Sequence, residues 1–531
     1  MRVKYFNTAG PCDPELHYML PAGPRLPQAR ELIEMDRYFV VHAPRQTGKT
    51  TTLGVLELEL RAEGSAVALT VSCEAASVAG DDFGAAELVL LDDLREAARS
   101  AGLEGAELPP EPWPEAAPGA RLGAALSAWA ARCPRPLVLF FDEIDAMRGQ
   151  SLLSVLRQLR NGHNMRPKRH PFPNAVALCG LRDVRDYKAA SGGEPSRLGT
   201  ASPFNISVRS LRMGDFTCEE VAGLYAQHTA ATGQEFRPEA VARAFEVTCG
   251  QPWLVNALAY EITREMRIPP EDPITAEHVD QARERLIRAR ATHLDSLVAK
   301  LQEPRVRRVM EPMIAGTFSY ADDTFDDDVS YVRDLGLIAQ GLPLRVANPI
   351  YREVVLRVLG GPAESFVLAE PRSFVLPDGR FDLPRLLREF TGFWREHGEV
   401  LVRGTVYHEA ACHIVLMAYL QRLVNGGGYL DREYATGTGR LDVLIRWPYQ
   451  GPDGDRRVQR EALEVKLWHP GRPDPHDQGL EQLDGYLDRL GLDTGVLVVF
   501  DRRPQAPAWH ERTTLGSAAT PRGRKVTVLR A

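Results

Sequence analysis

The chain has 531 residues, 44% hydrophobic and 25% charged, with a formal net charge of −7 at pH 7. That length supports roughly three or four domains with real cores, and the slightly acidic balance excludes a general basic field for holding nucleic acid. Seven cysteines, at 12, 73, 133, 179, 218, 249 and 412, form no C-x-x-C pair, so neither a disulfide framework nor a zinc ribbon is expected. With no apolar leader behind Met1 and no run of 18 apolar residues, the sequence predicts a cytoplasmic protein without a membrane span.

Residues 1–37 are rich in turn formers and rings, including Phe6-Asn7-Thr8-Ala9-Gly10-Pro11 and His17-Tyr18-Met19-Leu20-Pro21. The apolar run 38–41 then predicts a buried strand. It is followed by Ala43-Pro44-Arg45-Gln46-Thr47-Gly48-Lys49-Thr50-Thr51 and a helical pattern to 60. This is a phosphate-binding loop with Ala43 in place of the usual first glycine. Backbone N–H groups and a helix N-terminus cradle phosphates, Lys49 reaches the outer ones, and the Thr50 hydroxyl can hold Mg²⁺. The lead-in 1–37 either lies against the base of a nucleotide bound there or packs as an extended arm.

Residues 66–73 read as a second buried strand, followed by an Ala/Gly/Glu-rich insert with amphipathic helices over 88–103 and 122–133. The apolar run 137–141 ends in Asp142-Glu143. Together with Lys49-Thr50 upstream this predicts that Asp142 joins the Mg²⁺ shell and that Glu143 polarises an attacking water. A fourth strand over 175–181 precedes Arg182, which is either a γ-phosphate sensor or a surface ion-pair partner. A fifth strand is expected over 204–208. Arg157, Arg160, Arg166, Lys168, Arg169 and His170 are either a solvated helix end, a contact to nucleic acid or the source of an arginine finger. Short apolar strands alternating with helices imply a parallel sheet covered on both faces.

From 216 the period becomes helical. Thr217-Cys218-Glu219-Glu220 is a capping box, and the turn Gly250-Gln251-Pro252 interrupts the helices that follow. On Ala43…Gly48-Lys49-Thr50, Asp142-Glu143, Gly180-Leu181-Arg182 and Gly250-Gln251-Pro252, residues 1–360 resemble the AAA-like and STAND-like P-loop ATPases. That resemblance implies ATP rather than GTP, with Pro252 near the adenine. It also implies a helical lid and a winged helix over 292–360. Asp322, Asp323, Asp326, Asp327 and Asp328 around the winged helix's third helix would be repelled by phosphate. An interaction module, for a protein partner or self-association, is therefore expected there rather than a DNA reader. Residues 361–384, with Pro362, Pro371, Pro377-Asp378-Gly379 and Pro384, read as a linker.

Helices over 384–397 and 404–424 open the last region, in which Phe390, Phe393 and Trp394 read as helix core. His408 and His413, five apart, diverge on a helix and are not a zinc pair. A strand with Asp442, a turn at 451–455 and a return strand with Glu464 and Lys466 follow. Residues two apart on a strand share a face, so Glu464 and Lys466 point together and hairpin pairing can bring Asp442 beside them. Two carboxylates and a lysine so arranged suit a hard metal, with Lys466 orienting or helping to deprotonate a water. Gln478, Gln482 and Tyr486 recur every four residues on one helix face.

This constellation resembles the PD-(D/E)xK nuclease superfamily. The resemblance assigns Asp442, Glu464 and Lys466 to its D…E-x-K positions. It assigns Glu409 to an added metal-site carboxylate, and Gln482 and Tyr486 to the Q-x-x-x-Y helix that meets substrate. Leu441 stands where the pattern has proline. Residues 386–531 carry 20 Lys/Arg against 19 Asp/Glu, so charge gives no independent sign of DNA. The tail from Arg522 to Arg530 is basic and could track a phosphate backbone.

The expected protein is α/β throughout. It comprises a P-loop ATPase core (1–212), a helical lid (213–291), a winged helix (292–360), a linker (361–384) and a restriction-endonuclease-like domain (385–531). Its expected cofactors are ATP and Mg²⁺, with Mn²⁺ an option at the second site. The function expected is an ATP-binding and hydrolysing switch coupled to a metal-dependent nuclease-type domain acting on DNA. The alternative is a signalling or scaffold ATPase whose last domain binds nucleic acid or protein without cutting.

Overall fold

A computed structural model of the protein describes residues 4–166, 170–181, 209–289, 292–315, 327–341, 344–364, 374–404, 411–424, 428–436 and 439–531. Arg182, Lys168, Arg169, His408, Glu409, Asp322, Asp323, Asp326 and the expected strand at 204–208 lie outside them. The chain divides into two compact units, one of Met1–Leu286 with Tyr331–Leu337 and one of Ile287–Ser330 with Ile338–Ala531. No described helix is long and apolar enough to cross a membrane.

The first unit is built on five parallel strands: β1 (Tyr38–His42), β2 (Val67–Ser72), β3 (Leu137–Asp142), β4 (Ala175–Gly180) and β5 (Arg209–Arg212), in the order β2-β3-β4-β1-β5. Strands β3 and β4 are buried along their whole length. Such unbroken apolar runs belong to a parallel sheet covered on both faces. Side chains alternate between two cores: Tyr38, Val40, Leu139 and Phe141 pack on one face, and Phe39, Val41, Val138 and Phe140 on the other. Because all strands run the same way, the residues after β1, β3 and β4 emerge at one edge, where open α/β sheets bind ligands. β4 stands between β1 and β3, so the loop after β1 and Asp142 are separated by one strand's width.

Helices Cys218–Thr232, Pro238–Thr248 and Pro252–Tyr260 follow. The expected capping box is present, with Thr217 Oγ1 accepting from Glu220 N and Thr217 N donating to Glu220 Oε2.

In the second unit, Ile338 and Val346 form an antiparallel bridge. Asp328, expected as part of a phosphate-repelling acidic run, is paired with Arg305 at 3.1 Å and Arg308 at 2.5 Å. Part of the expected linker is core: Phe374 and Phe381 are fully buried about the Pro377-Asp378-Gly379 turn. Proline and glycine there make a tight turn between anchored rings rather than a free spacer. Phe390 and Trp394 are core as expected.

The last region forms a six-stranded mixed sheet. Its strands are β6 (Tyr429–Thr436), β7 (Gly439–Gln450), β8 (Arg456–Trp468), β9 (Thr494–Asp501), β10 (Thr514–Ala519) and β11 (Lys525–Arg530), ordered β10-β11-β9-β8-β7-β6. β7 and β8 are an antiparallel hairpin, and β9 and β11 run parallel to their neighbours β8 and β9. Helices Leu383–Gly404 and Ala411–Val424 contribute to the core on one face. Helix His476–Leu490 covers the other through Leu480, Leu483 and Leu487.

Candidate functional site

The turn after β1 puts Gln46 (φ 59°) and Gly48 (φ 84°) in the left-handed region. Alternating handedness of this kind turns successive backbone N–H groups into an anion-binding hollow. Gly48 leads into the 14-residue helix Lys49–Ala62, whose free N–H groups and dipole add to that hollow. Lys49 Nζ donates to Ala43 O (2.9 Å) and Pro44 O (2.8 Å), and burial pulls its pKa down from the ordinary lysine value. Thr47 Oγ1 also donates to Pro44 O, at 2.9 Å.

Asp142, buried at the end of β3, accepts from Thr50 Oγ1 at 2.5 Å through Oδ2 and from Glu143 N at 2.9 Å through Oδ1. The pairing brings together two residues 92 positions apart, as their motifs predict. Glu143 is itself left-handed (φ 52°) and exposed, with Oε2 accepting from Ser72 Oγ at 3.1 Å. Ser72 was not anticipated. Its only signal in the sequence is that it is polar at the C-terminal end of an apolar strand, level with Asp142 in the register.

The Gly250-Gln251-Pro252 turn also reaches this edge. Gln251 Oε1 caps the helix Pro252–Tyr260 by accepting from Leu254 N at 2.6 Å, and Gln251 Nε2 donates to Gln46 O at 3.4 Å. Pro252 lines a cavity of about 130 Å³ shared by the turn after β1 (Gln46, Gly48, Thr51) and the N-terminal arm (Thr8, Leu20). Trp253 Nε1 donates to Thr8 O at 2.8 Å and ties that arm down. The arm is therefore packed against Trp253 and also lines the cavity.

At the second site the β7–β8 register pairs Val443 with Leu463, so the next step puts Asp442 opposite Glu464. Asp442 Oδ2 accepts from Val465 N at 2.8 Å, and Lys466 Nζ donates to Glu464 Oε1 at 2.6 Å. Glu464 Oε2 is buried with no hydrogen-bond partner. Burial first, and the facing Asp442 second, push the Glu464 carboxyl up to about 7 against the pull of Lys466. Burial likewise raises Asp442, opposed by its bond from Val465. Two carboxylates that resist ionising together, one with an unpartnered oxygen, fit a divalent cation. The Thr50–Asp142 pair fits one by the chemistry of its donors. Among the described residues no group of three or more His, Cys, Asp or Glu gathers into a metal cluster.

The expected substrate helix is His476–Leu490. It approaches the site at Gly479, where a Cβ would lie 3.4 Å from Lys466 Cγ. Gln482 is exposed, and Tyr486 is half-buried against the Leu480–Leu483–Leu487 cluster. The basic tail is not a free phosphate track. Arg524 is paired with Asp484 and Asp488 at 2.9 and 2.7 Å, Arg522 with Asp488 at 2.7 Å, and Arg530 with Asp474 at 2.8 Å. Sequence charge along the tail could not reveal partners that lie on a helix and a loop upstream of it.

No family model matches this chain, and a search of curated proteins finds no match. Among solved structures it is similar to a Walker-type ATPase of Pyrococcus abyssi, with TM-score 0.47 and 12% identity, covering 66% of this chain and 99% of that one. It is also similar to the Aeropyrum pernix ORC2 protein in ADPNP–ADP complexes (TM-score 0.38, 14% identity, 64% and 92% covered). A third is the Thermotoga maritima RuvB Holliday junction branch migration motor (TM-score 0.32, 14% identity, 63% and 92% covered). With TM-scores below 0.5 these likenesses transfer no function.

Proposed function

We propose that the protein is an ATP-binding and hydrolysing switch coupled to a metal-dependent nuclease-type domain acting on DNA. The observation that carries the first half is the 2.5 Å bond from Thr50 to Asp142 beside the Lys49 turn. A loop motif and a strand motif, distant in sequence, meet at one edge of a parallel sheet. A triphosphate settling on the N–H groups of the turn draws Lys49 from the Ala43 and Pro44 carbonyls to the outer phosphate oxygens. Thr50 and Asp142 would hold Mg²⁺, which supplies charge neutralisation on the phosphates. Glu143, held by Ser72 at the solvent rim, orients the attacking water and takes its proton. Arg182 is assigned to sensing the outer phosphate, and Pro252 to the base side of the site.

The nuclease half rests on Asp442 and Glu464 facing each other across the β7–β8 hairpin with Lys466 on the same face. Asp442 and Glu464, with Glu409 as an added ligand, would hold Mg²⁺ or Mn²⁺, whose charge stabilises a dividing phosphodiester. Lys466 orients the nucleophilic water, while Gln482 and Tyr486 contact the strand being cut. The lid and winged helix carry the nucleotide state or bind a protein partner.

The test is one set of assays on wild type, Lys49→Ala and Asp442→Ala. Lys49→Ala should lose ATP hydrolysis by at least about 100-fold. Asp442→Ala and Lys466→Ala should keep it and lose DNA cleavage by about 100-fold or more. If wild type with Mg²⁺ or Mn²⁺ cuts neither single- nor double-stranded DNA or RNA, with and without ATP, the nuclease half is wrong. ATP-driven oligomerisation without cutting would then identify a scaffold.

A further inference from the structure

Residues 5–18 form a loop whose two ends meet. Tyr5 and His17 make a parallel bridge, Tyr5 N donates to Leu16 O at 3.0 Å, and Tyr18 N donates to Tyr5 O at 3.2 Å. Compact loops of this kind frequently carry function. The base is anchored on the helices that follow the sheet. Phe6 is fully buried against Tyr18, Tyr225 and Phe236, and the Gln227 side chain accepts from Met19 N at 3.2 Å and donates to Met19 O at 2.8 Å. The tip is stiff but lightly held. Asn7 braces it from within, its Nδ2 donating to Gly10 O at 3.0 Å and Pro11 O at 3.2 Å and its Oδ1 accepting from Ala9 N at 3.1 Å. Two hydrogen bonds fasten it outward, Cys12 N to Thr51 Oγ1 at 3.1 Å and Trp253 Nε1 to Thr8 O at 2.8 Å, while Ala9, Gly10 and Pro11 are exposed.

The tip and the turn after β1 face each other across the cavity, with Thr8 and Cys12 on one side and Gly48 and Thr51 on the other. The space between them is about 130 Å³, against roughly 300–1,000 Å³ for sites that hold small molecules. A nucleotide seated on the turn therefore displaces the tip. Resting on the reading of that turn as an ATP site, we propose that the loop 5–18 is a gate on it. The tip swings out on its anchored base to admit the nucleotide, and in the closed form it competes with the nucleotide for the same space. Apparent affinity is then the intrinsic affinity reduced by the fraction of open molecules. A net hydrogen bond is worth about a factor of five in such an equilibrium, so the two outward bonds favour the closed form by a factor of about 25. A gate behaves oppositely to a binding wall, because weakening it strengthens binding.

The experiment follows binding of N-methylanthraniloyl ATP, a fluorescent analogue, to the full-length protein by stopped flow. In wild type the observed association rate should level off as the analogue's concentration rises, at the rate of opening. Asn7→Ala removes the brace, and Pro11→Gly loosens the tip from a position that does not line the cavity. Each variant should raise the plateau by about 3- to 10-fold and tighten binding by about 2- to 5-fold. Hydrogen exchange at the Cys12 amide should quicken in both variants while the Tyr18 amide at the base keeps its rate. An association rate that never levels off, a plateau that neither variant moves, or weaker binding in both variants overturns the gate and leaves the ATP site standing. Failure of wild type to bind the analogue overturns the ATP site itself and the gate with it.

Discussion

Lys49 in this structure donates to the carbonyls of its own loop, so the role proposed for it depends on a competitor with stronger acceptors, which phosphate oxygens are. The motif spells out that role because each of its residue types is demanded by one contact. Ser72 belongs to no short pattern. Serine at a strand end occurs everywhere, and only the folded neighbourhood makes it a partner of Glu143. His293 makes a prediction at the same scale. Its Nε2 lies 2.5 Å from Tyr351 Oη, and burial drops its pKa to about 4 from an ordinary 6.5. Between those values the unfolded chain binds more protons than the native one, so stability contributed by neutral His293 is present above pH 6.5 and is lost as pH falls towards 4. The Tm of wild type should therefore fall between pH 6.5 and 4 more steeply than that of His293→Gln, as read by calorimetry; parallel curves would contradict it.

Among the elements, the turn at Gly250 separates two kinds of glycine. Gly250 has φ +77°, and a Cβ there would sit 1.9 Å from Phe216 O, whose own N–H donates to Gly250 O at 2.8 Å. Gly233, at the C-terminus of the helix Cys218–Thr232, has φ +81° but open space around it. Gly233→Ala should cost about 1 kcal/mol, the price of left-handed backbone alone. Gly250→Ala must also move backbone, and should cost about 2–4 kcal/mol. Denaturant melts of the two variants check the difference, and equal losses would refute the close approach. The turn itself was visible as Gly-Gln-Pro; its contact with Gln46 was not. The β7–β8 hairpin was legible down to the meeting of Asp442 with Glu464, because strand alternation and an obvious turn leave one register that buries both apolar faces. The edge strands β6 and β10 carry no comparable pattern, since β10 is largely exposed.

For the whole molecule, the consequence of the proposed function is coupling between two chemistries on one chain. A switch requires that ATP bind the cutting-competent and resting states with different affinities. A tenfold change in cleavage rate corresponds to about 1.4 kcal/mol of coupling. A non-hydrolysable ATP analogue should therefore change metal-dependent cleavage by about tenfold or more in wild type and leave Lys49→Ala unaffected, as measured on a labelled DNA substrate. Cleavage indifferent to nucleotide in wild type would reduce the protein to two independent activities.

The sequence alone determined the parallel sheet of the first unit, the left-handed turn leading into the Lys49 helix, the Asp142-Glu143 strand end and the hairpin with its two carboxylates and lysine. Each of these is local: a few consecutive residues must have particular types for the backbone geometry or the chemistry to work at all. Tertiary structure decided which distant groups meet. It put Ser72 on Glu143, Thr8 on Trp253, and Asp484 and Asp488 on the arginines of the tail. These outcomes depend on burial and on contacts between segments far apart in the chain, and burial is a property of the packed whole that no stretch of residues carries by itself.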